Sequence, residues 1–385
     1  MSVPAWEKSF SYGESGVDID VEQAGSRILF EASKATWVNR QGRLGQVEAL
    51  YDDYSGVRFS DIGELPPGTV MAENADGTGT KPKIATIAGR LDTIATDLIE
   101  AVCADAVIEG YEPAHITTTL KVNTLGRDEE RLASIRELGQ SCQGPCARAG
   151  VAITNGELTQ HPTLGGLDKF YFEWDASLVK FGHESRLIDG SKIQPGDTLI
   201  GFREPGFRCN GFSLLIDIFE HYYGENWGEE QFMGQRLADL VLQPSEMYTA
   251  ALVDITGGYD LNRPALASFN GAAHISGGGI PKKLGRLLSR TGNSAIIDNP
   301  ISPPETMRLA QALGKVSDKE AYRTWNMGMG MIIVTAEPDK VLEVAGKHGI
   351  VGQRVGQIIK SEKPFISLVS RGLEHPGRWT NFFIY

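Results

Sequence analysis

Apolar residues recur along this chain at two alternating periods, and the alternation marks out a mixture of helices and strands. Over residues 21–35, Ile28, Leu29 and Ala32 share one helical face, with Asp18 and Asp20 ahead of them as caps. A short strand at 69–72 runs into Glu73-Asn74-Ala75-Asp76-Gly77-Thr78-Gly79-Thr80-Lys81, and a helix over 92–109 ends at Gly110, with Pro113 beyond it. Residues 114–122 alternate with β-branched side chains, as a strand does. The pattern then predicts one long helix over 128–149, strands at 151–154 and 171–181, and a turn-rich stretch at 185–197. Beyond the turns come a strand at 198–202, helices over 211–222 and 245–255, and a strand at 272–275. That strand leads through Ser276-Gly277-Gly278-Gly279 into a helix reaching Ser289. Helices over 305–313 and 338–347 and strands at 329–335, 355–359 and 365–369 follow. No period of 20–50 residues is present, which excludes a solenoid. The fold class is therefore α+β, with two mixed domains, 1–182 and 183–385.

The 385 residues suffice for two such domains, each with its own core. Lysines and arginines number 37 against 49 aspartates and glutamates, a formal net charge of −12. An acidic surface repels a phosphate backbone, so nucleic acid is not an expected partner. A nucleotide carried with Mg²⁺ is compatible, because carboxylates are the ligands that a hard cation takes. The four cysteines match no zinc spacing, and Cys142 and Cys146 read as small core residues of a reducing compartment. The first twenty residues hold no signal sequence and no stretch is long and apolar enough to cross a membrane, which points to the cytoplasm.

Chemistry concentrates in a few segments. After the strand at 69–72, Asp76, Gly77, Thr78, Gly79, Thr80 and Lys81 combine a carboxylate, hydroxyls, two glycines and a lysine. Such a loop brings backbone N–H groups to phosphate oxygens, although a plain glycine turn with a solvated lysine has the same composition. Neither a Walker A loop nor a dinucleotide fingerprint is present. The helix over 92–109 is apolar enough to be buried, which makes its carboxylates costly unless they are paired or bind a cation. Asp105 is the best metal candidate among them, while a paired or capped role suits Asp97. Glu157 follows a strand end, where catalytic groups are often carried, and a turn carboxylate would look alike. Asn210-Gly211 and Gly277-Gly278 precede helices and are candidate anion sites or ordinary tight turns. Of seven histidines, only His161 lies near another candidate, Glu157.

In this order and spacing the segments resemble the aminoimidazole ribonucleotide synthetase (phosphoribosylformylglycinamidine cyclo-ligase) family from Ser11 to about Ile359. Ser11-Tyr12-Gly13-Glu14-Ser15-Gly16-Val17-Asp18-Ile19 is similar to the family's opening, and Asp76-Gly77-Thr78-Gly79-Thr80-Lys81 to its Asp-Gly-x-Gly-Thr-Lys signature. Gly156-Glu157, Ile188-Asp189-Gly190-Ser191-Lys192, Asn210-Gly211-Phe212-Ser213-Leu214, His274-Ile275-Ser276-Gly277-Gly278-Gly279 and Tyr322-Arg323-Thr324-Trp325-Asn326-Met327-Gly328 continue the series. The resemblance implies a homodimer whose first domains pair their sheets into a barrel, each followed by an α/β sandwich. It implies ATP held by residues 76–81, Mg²⁺ on Asp76 and Asp105, and catalytic roles for Lys81, Asp105 and Glu157. Asn210, Gly211, Gly277 and Gly278 would bind phosphate or the ribonucleotide substrate. The implied reaction is phosphorylation of the formamide oxygen of formylglycinamidine ribonucleotide, then ring closure with loss of phosphate.

The chain also departs from the family. Gly13 stands where a lysine is frequent, the glycine-rich stretch is not recognisable between Gly42 and Gly68, and Gln160 replaces a glutamate. Arg208-Cys209 stands in place of His-Ser, and Thr118-Thr119 in place of Asp-Tyr. The nucleotide side is thus better kept than the substrate side. That asymmetry leaves a related ATP-dependent enzyme with another substrate as the alternative; a scaffold would not need this carboxylate set.

Overall fold

The computed structural model describes residues 19–51, 56–125, 129–164 and 169–384. The family-like opening before Ile19, with Gly13, lies outside them. The helix predicted at 21–35 is α1 (Ile19–Lys34). A hairpin that the sequence pattern missed, β1 (Gln46–Ala49) with β2 (Arg58–Asp61), precedes β3 (Thr69–Gly77). Next come α2 (Lys81–Ala88), α3 (Ile94–Val107) and β4 (Glu112–Val122). The single helix predicted over 128–149 is two, α4 (Glu129–Ser141) and α5 (Gln143–Ala149). Pro145 explains the break, because its ring clashes with the carbonyl four residues back, at Ser141. Then β5 (Ala152–Gln160) and β6 (Phe172–His183) complete a four-stranded sheet in the order β3-β6-β4-β5.

Every residue of α3 except Asp105 is buried, as an apolar helix between two layers must be. It covers one face of the sheet, where Asn74 Nδ2 donates to the Val102 carbonyl at 3.0 Å. The opposite face carries small and polar residues. In its central row Ala75, Ser177 and Thr117 are paired across three strands, and all three are exposed.

The remaining chain supplies β7 (Thr198–Arg203), α6 (Phe212–Tyr223), the two-residue strands β8 (Gln231–Phe232) and β9 (Gln235–Arg236), α7 (Leu237–Val241) and α8 (Thr249–Thr256). It continues through β10 (Gly271–His274), α9 (Gly279–Leu288), β11 (Asn293–Ile297), α10 (Glu305–Leu313), α11 (Asp318–Thr324) and β12 (Met329–Thr335). α12 (Pro338–Lys347), β13 (Gly352–Lys360), β14 (Phe365–Val369) and β15 (Trp379–Phe383) end it. Seven strands form one sheet, ordered β10-β12-β7-β13-β11-β14-β15, in which β11 and β14 are the parallel pair. Among the described residues no helix is long and apolar enough to cross a membrane.

The two halves share a continuous core that runs from Ile84 to Phe382. Carboxylates on α3 also reach across. Asp97 accepts from the Ser245 N–H and hydroxyl at 3.0 and 2.5 Å. Glu100 takes the Tyr248 N–H at 2.9 Å and the Thr249 hydroxyl at 2.8 Å, which caps the start of α8. Near the junction, the buried Glu112 gathers Arg40, Arg43 and Arg263.

Candidate functional site

The last two residues of β3, Asp76 and Gly77, run into a pinned, open turn at residues 78–80. Thr78 donates both its N–H and its hydroxyl to the Trp174 carbonyl, at 3.1 and 3.0 Å, which ties the loop to β6. Gly79 has φ +58°, a left-handed conformation that glycine adopts without steric cost. Gly79 and Thr80 are exposed, and their N–H groups have no acceptor among the described residues. With α2 starting at the next residue, two free donors and a helix N-terminus point one way, which is an anion cradle. The helix α2 itself was not foreseen in the sequence, since its eight residues, with Pro82 in the first turn, carry little periodicity.

Two glycine-containing segments of the second half follow on from this loop. A side chain on Gly79 would meet the Cys209 carbonyl at 3.3 Å, and one on Gly277 would meet Asn210 Nδ2 at 3.5 Å. Gly211, with φ +77°, backs onto the Trp325 ring, and Gly279 onto the Tyr322 carbonyl. Residues 76–80, 209–211 and 276–279 therefore form one chain of contacts across the domain junction. The anion candidates Asn210, Gly211, Gly277 and Gly278 all belong to it.

The catalytic candidates are not gathered in the same way. Lys81 was expected to reach phosphate, but its side chain is wholly buried. Its ammonium lies 2.5 Å from Asp97 Oδ2, 3.1 Å from the Gln243 carbonyl and 5.8 Å from the centre of the Phe212 ring. Burial is the reason, because an ammonium in a core must be paired. Asp105, expected to hold Mg²⁺ together with Asp76, instead accepts from His274 Nδ1 at 2.7 Å. Burial raises the Asp105 carboxyl, but His274 and the nearby Lys283 outweigh it and hold the group below its usual range. His274 is pushed down by burial and by the Arg208 charge, against the opposing pull of Asp105. Glu157 lies elsewhere again. The row Asp76, Ala176, Thr118, Gly156 is in register across the sheet, and directly paired residues point to one face. Asp76 thus shares the α3 face, whereas Glu157, one residue on from Gly156, turns to the open face three strand spacings away, about 14 Å. A cavity of about 290 Å³ beneath α1 adjoins Glu157.

Among the described residues no group of three or more histidines, cysteines or acids converges as a metal cage. The fit for Mg²⁺ is therefore a single one. Asp76 is exposed and accepts only the Gly77 N–H, at 2.8 Å, which leaves oxygen free beside the phosphate cradle. Mg²⁺ commonly takes one or two carboxylates along with phosphate oxygens and water, and this donor set suits it.

Sequence reasoning passed over His274 and favoured His161, which is exposed and has no part in these contacts. The signal for His274 was its position three residues before the glycine run. Arg208, which stands in the family's histidine position, is buried with φ +57° and pairs with Glu204 at 2.7 Å. Cys142 and Cys146 are buried, and burial pushes both thiols up, as core residues require.

Known proteins share this architecture along nearly the whole chain. Phosphoribosylformylglycinamidine cyclo-ligase of Desulfitobacterium hafniense (strain DSM 10664 / DCB-2) is 31% identical over 361 residues, covering 90% of this chain and 97% of its own. The enzyme of that name from Pseudothermotoga lettingae is 30% identical over 366 residues, covering 93% and 99%. The hydrogenase maturation protein HypE, solved in complex with ATP, superposes with a TM-score of 0.54 at 14% identity, covering 87% of this chain and 88% of that one. The family descriptions "AIR synthase related protein, N-terminal domain" and "C-terminal domain" match residues 52–169 and 194–369, and the chain belongs to the AIR synthase related family.

Proposed function

We propose that this chain is an ATP-dependent cyclo-ligase of purine biosynthesis that converts formylglycinamidine ribonucleotide to aminoimidazole ribonucleotide. The observation that carries the reading is the loop 76–80, with two unpartnered N–H groups and a free carboxylate facing glycine turns of the other domain. The names of the two cyclo-ligase relatives and the ATP complex of HypE support it. In this reading the N–H groups of Gly79 and Thr80 bind phosphate oxygens of ATP, and Asp76 holds Mg²⁺, which offsets charge on the transferred phosphoryl group. The turns at Asn210, Gly211, Gly277 and Gly278 hold the substrate phosphate. The γ-phosphoryl group passes to the formamide oxygen and ADP leaves; a substrate nitrogen then attacks that carbon, and the oxygen departs with phosphate. Lys81 acts as a positioning residue, because it neutralises Asp97 and anchors the first turn of α2. Asp105 orients His274, and Glu157 enters only if a second subunit brings the open sheet face against a site. The chain would work in the cytoplasm.

One observation favours a second reading, a related ATP-using enzyme with another substrate. On β4, beside Asp76 and Glu157, stand Thr118 and Thr119 where the family has Asp-Tyr, so this strand offers no carboxylate there. Incubation with ATP, Mg²⁺ and formylglycinamidine ribonucleotide separates the two: aminoimidazole ribonucleotide should accumulate, and ADP release only with a different acceptor would decide for the second. ATP with Mg²⁺ should also raise the Tm by ligand linkage, less so in Asp76→Asn. A Tm that ignores Mg²⁺–ATP in the wild type would refute the nucleotide assignment.

A further inference from the structure

Gly211 and Gly279 have no side chains to hold them, so the turns at 209–211 and 276–279 take their places from what they lean on. Both lean on α11 and the residues that follow it. A side chain on Gly279 would strike the Tyr322 carbonyl, and Gly211 backs onto the Trp325 ring, whose Nε1 donates to the Gly211 carbonyl at 3.3 Å. Asn326 Nδ2 then donates to the Gly206 carbonyl at 2.8 Å. Yet α11 has only seven residues, too few for a helix to be stable without packing.

The end of the chain holds α11 from the other side. Asp318, in the first turn of the helix, is 1% exposed and accepts from the Ser370 hydroxyl at 2.6 Å and from the N–H groups of Glu374 and His375 at 3.0 and 2.9 Å. Its own N–H donates to Glu374 Oε2 at 3.0 Å. Four residues on, and so on the same face, the hydroxyl of the buried Tyr322 accepts from the Arg371 N–H at 3.0 Å. The Arg323 guanidinium lies 5.9 Å from the centre of the Phe382 ring, and Ile384 lies over Gly285 of α9, against which α11 packs. Every one of these tail residues stands beyond residue 369, where the family match ends.

We propose that residues 370–384 buttress the two anion turns, with Tyr322 as the positioning residue that passes the constraint on. The tail holds its hydroxyl, and its carbonyl sets the place of Gly279. A turn held in its binding geometry costs less to order when a ligand arrives, so the buttress acts on affinity and not on the chemical step. The ligand affected is the substrate phosphate, which rests on the reading of these turns given above. The N–H groups assigned to ATP belong to residues 79 and 80 and are tied to β6 through Thr78, outside the buttress.

The test is hydrogen–deuterium exchange of the full chain, read by mass spectrometry, in the wild type, Tyr322→Phe and Ser370→Ala. Tyr322→Phe removes only a hydroxyl and keeps the ring in the core, so the variant should fold. Peptides over 206–215 and 274–284 should exchange roughly fivefold faster in both variants, the weight of one hydrogen bond, while peptides over the first sheet keep their wild-type rates. Unchanged rates at both turns would overturn the proposal, and so would faster exchange throughout the chain, which marks a merely structural role. With ATP and formylglycinamidine ribonucleotide, Tyr322→Phe should raise the KM for the ribonucleotide about fivefold and leave kcat and the KM for ATP within about twofold. A loss of kcat at unchanged KM would also overturn it. A wild type that makes no aminoimidazole ribonucleotide would refute the cyclo-ligase reading alone, and the exchange data would still decide for or against the buttress.

Discussion

An ammonium with no exposed surface requires a counter-charge at contact distance, and Lys81 finds one in Asp97, 2.5 Å away. Removing one partner leaves the other buried and unpaired, at a cost of about 3–5 kcal/mol. Lys81→Met should therefore lose about that much stability in urea unfolding, and Lys81→Met with Asp97→Asn should recover part of it. A Lys81→Met protein of wild-type stability would instead make Lys81 a solvent-facing phosphate contact. Glu100 carries a different consequence of burial, which pushes its carboxyl up to about 7 against the opposing pull of Arg208. Between its ordinary value of 4.5 and about 7, the folded chain binds more protons than the unfolded one. Stability from this group therefore falls as pH rises through that window. Glu100→Gln keeps an acceptor for the Tyr248 N–H and removes the titration. Its denaturation free energy, relative to wild type, should rise from about pH 5 to about pH 8. A difference that is flat with pH would show that Glu100 does not titrate there.

At the scale of elements, the chain ends in a strand that the family match, which stops at residue 369, does not include. β15 pairs with β14 throughout its length and buries Phe382 to 4% exposure, while Trp379 and Phe383 face outward. The connection is held by Asp318, which accepts from the Ser370 hydroxyl and from the N–H groups of Glu374 and His375 at 2.6–3.0 Å. A chain ended after Val369 should lose at least about 2 kcal/mol, the worth of one buried phenylalanine, and show a lower Tm by scanning calorimetry. An unchanged Tm would mean that the tail is not part of the folded unit. Trp379, Phe382, Phe383 and Tyr385 crowd this stretch of the sequence, but the apolar pattern predicts no strand beyond residue 369. Local signals explain what was legible: glycines placed the loops at 76–80, 209–211 and 276–279, and apolar periodicity placed α1, α3 and most strands. Partner choice was not legible. Lys81 and Asp97, or Asp105 and His274, meet through tertiary packing that no spacing along the chain encodes, and Pro145 outweighed the helical periodicity around it.

For the whole molecule, the open face of the first sheet is the largest feature left unexplained within one chain. Ala75, Ser177 and Thr117 form a flat exposed row of small side chains, and Met71 on the same strand as Ala75 is 61% exposed. A surface of this kind packs closely against another sheet, and the dimeric barrel implied by the family resemblance would use it. Sedimentation velocity should find a dimer for the wild type and a monomer for Ser177→Lys, whose charge cannot be buried unpaired. A wild-type monomer at micromolar concentration would exclude the barrel.

The carboxylates of α3 also set an order of events during synthesis. Asp97 and Glu100 receive donors from residues 148 and 149 positions later in the chain. When the first sheet and its helices have left the ribosome, those donors have yet to be made. Until α8 emerges, the nascent first half must keep these acids in contact with water, with its most apolar helix open on one side. The interval is long enough for that exposed flank to meet other unfinished chains, so the moment at which α8 arrives decides how long the newborn protein needs protection.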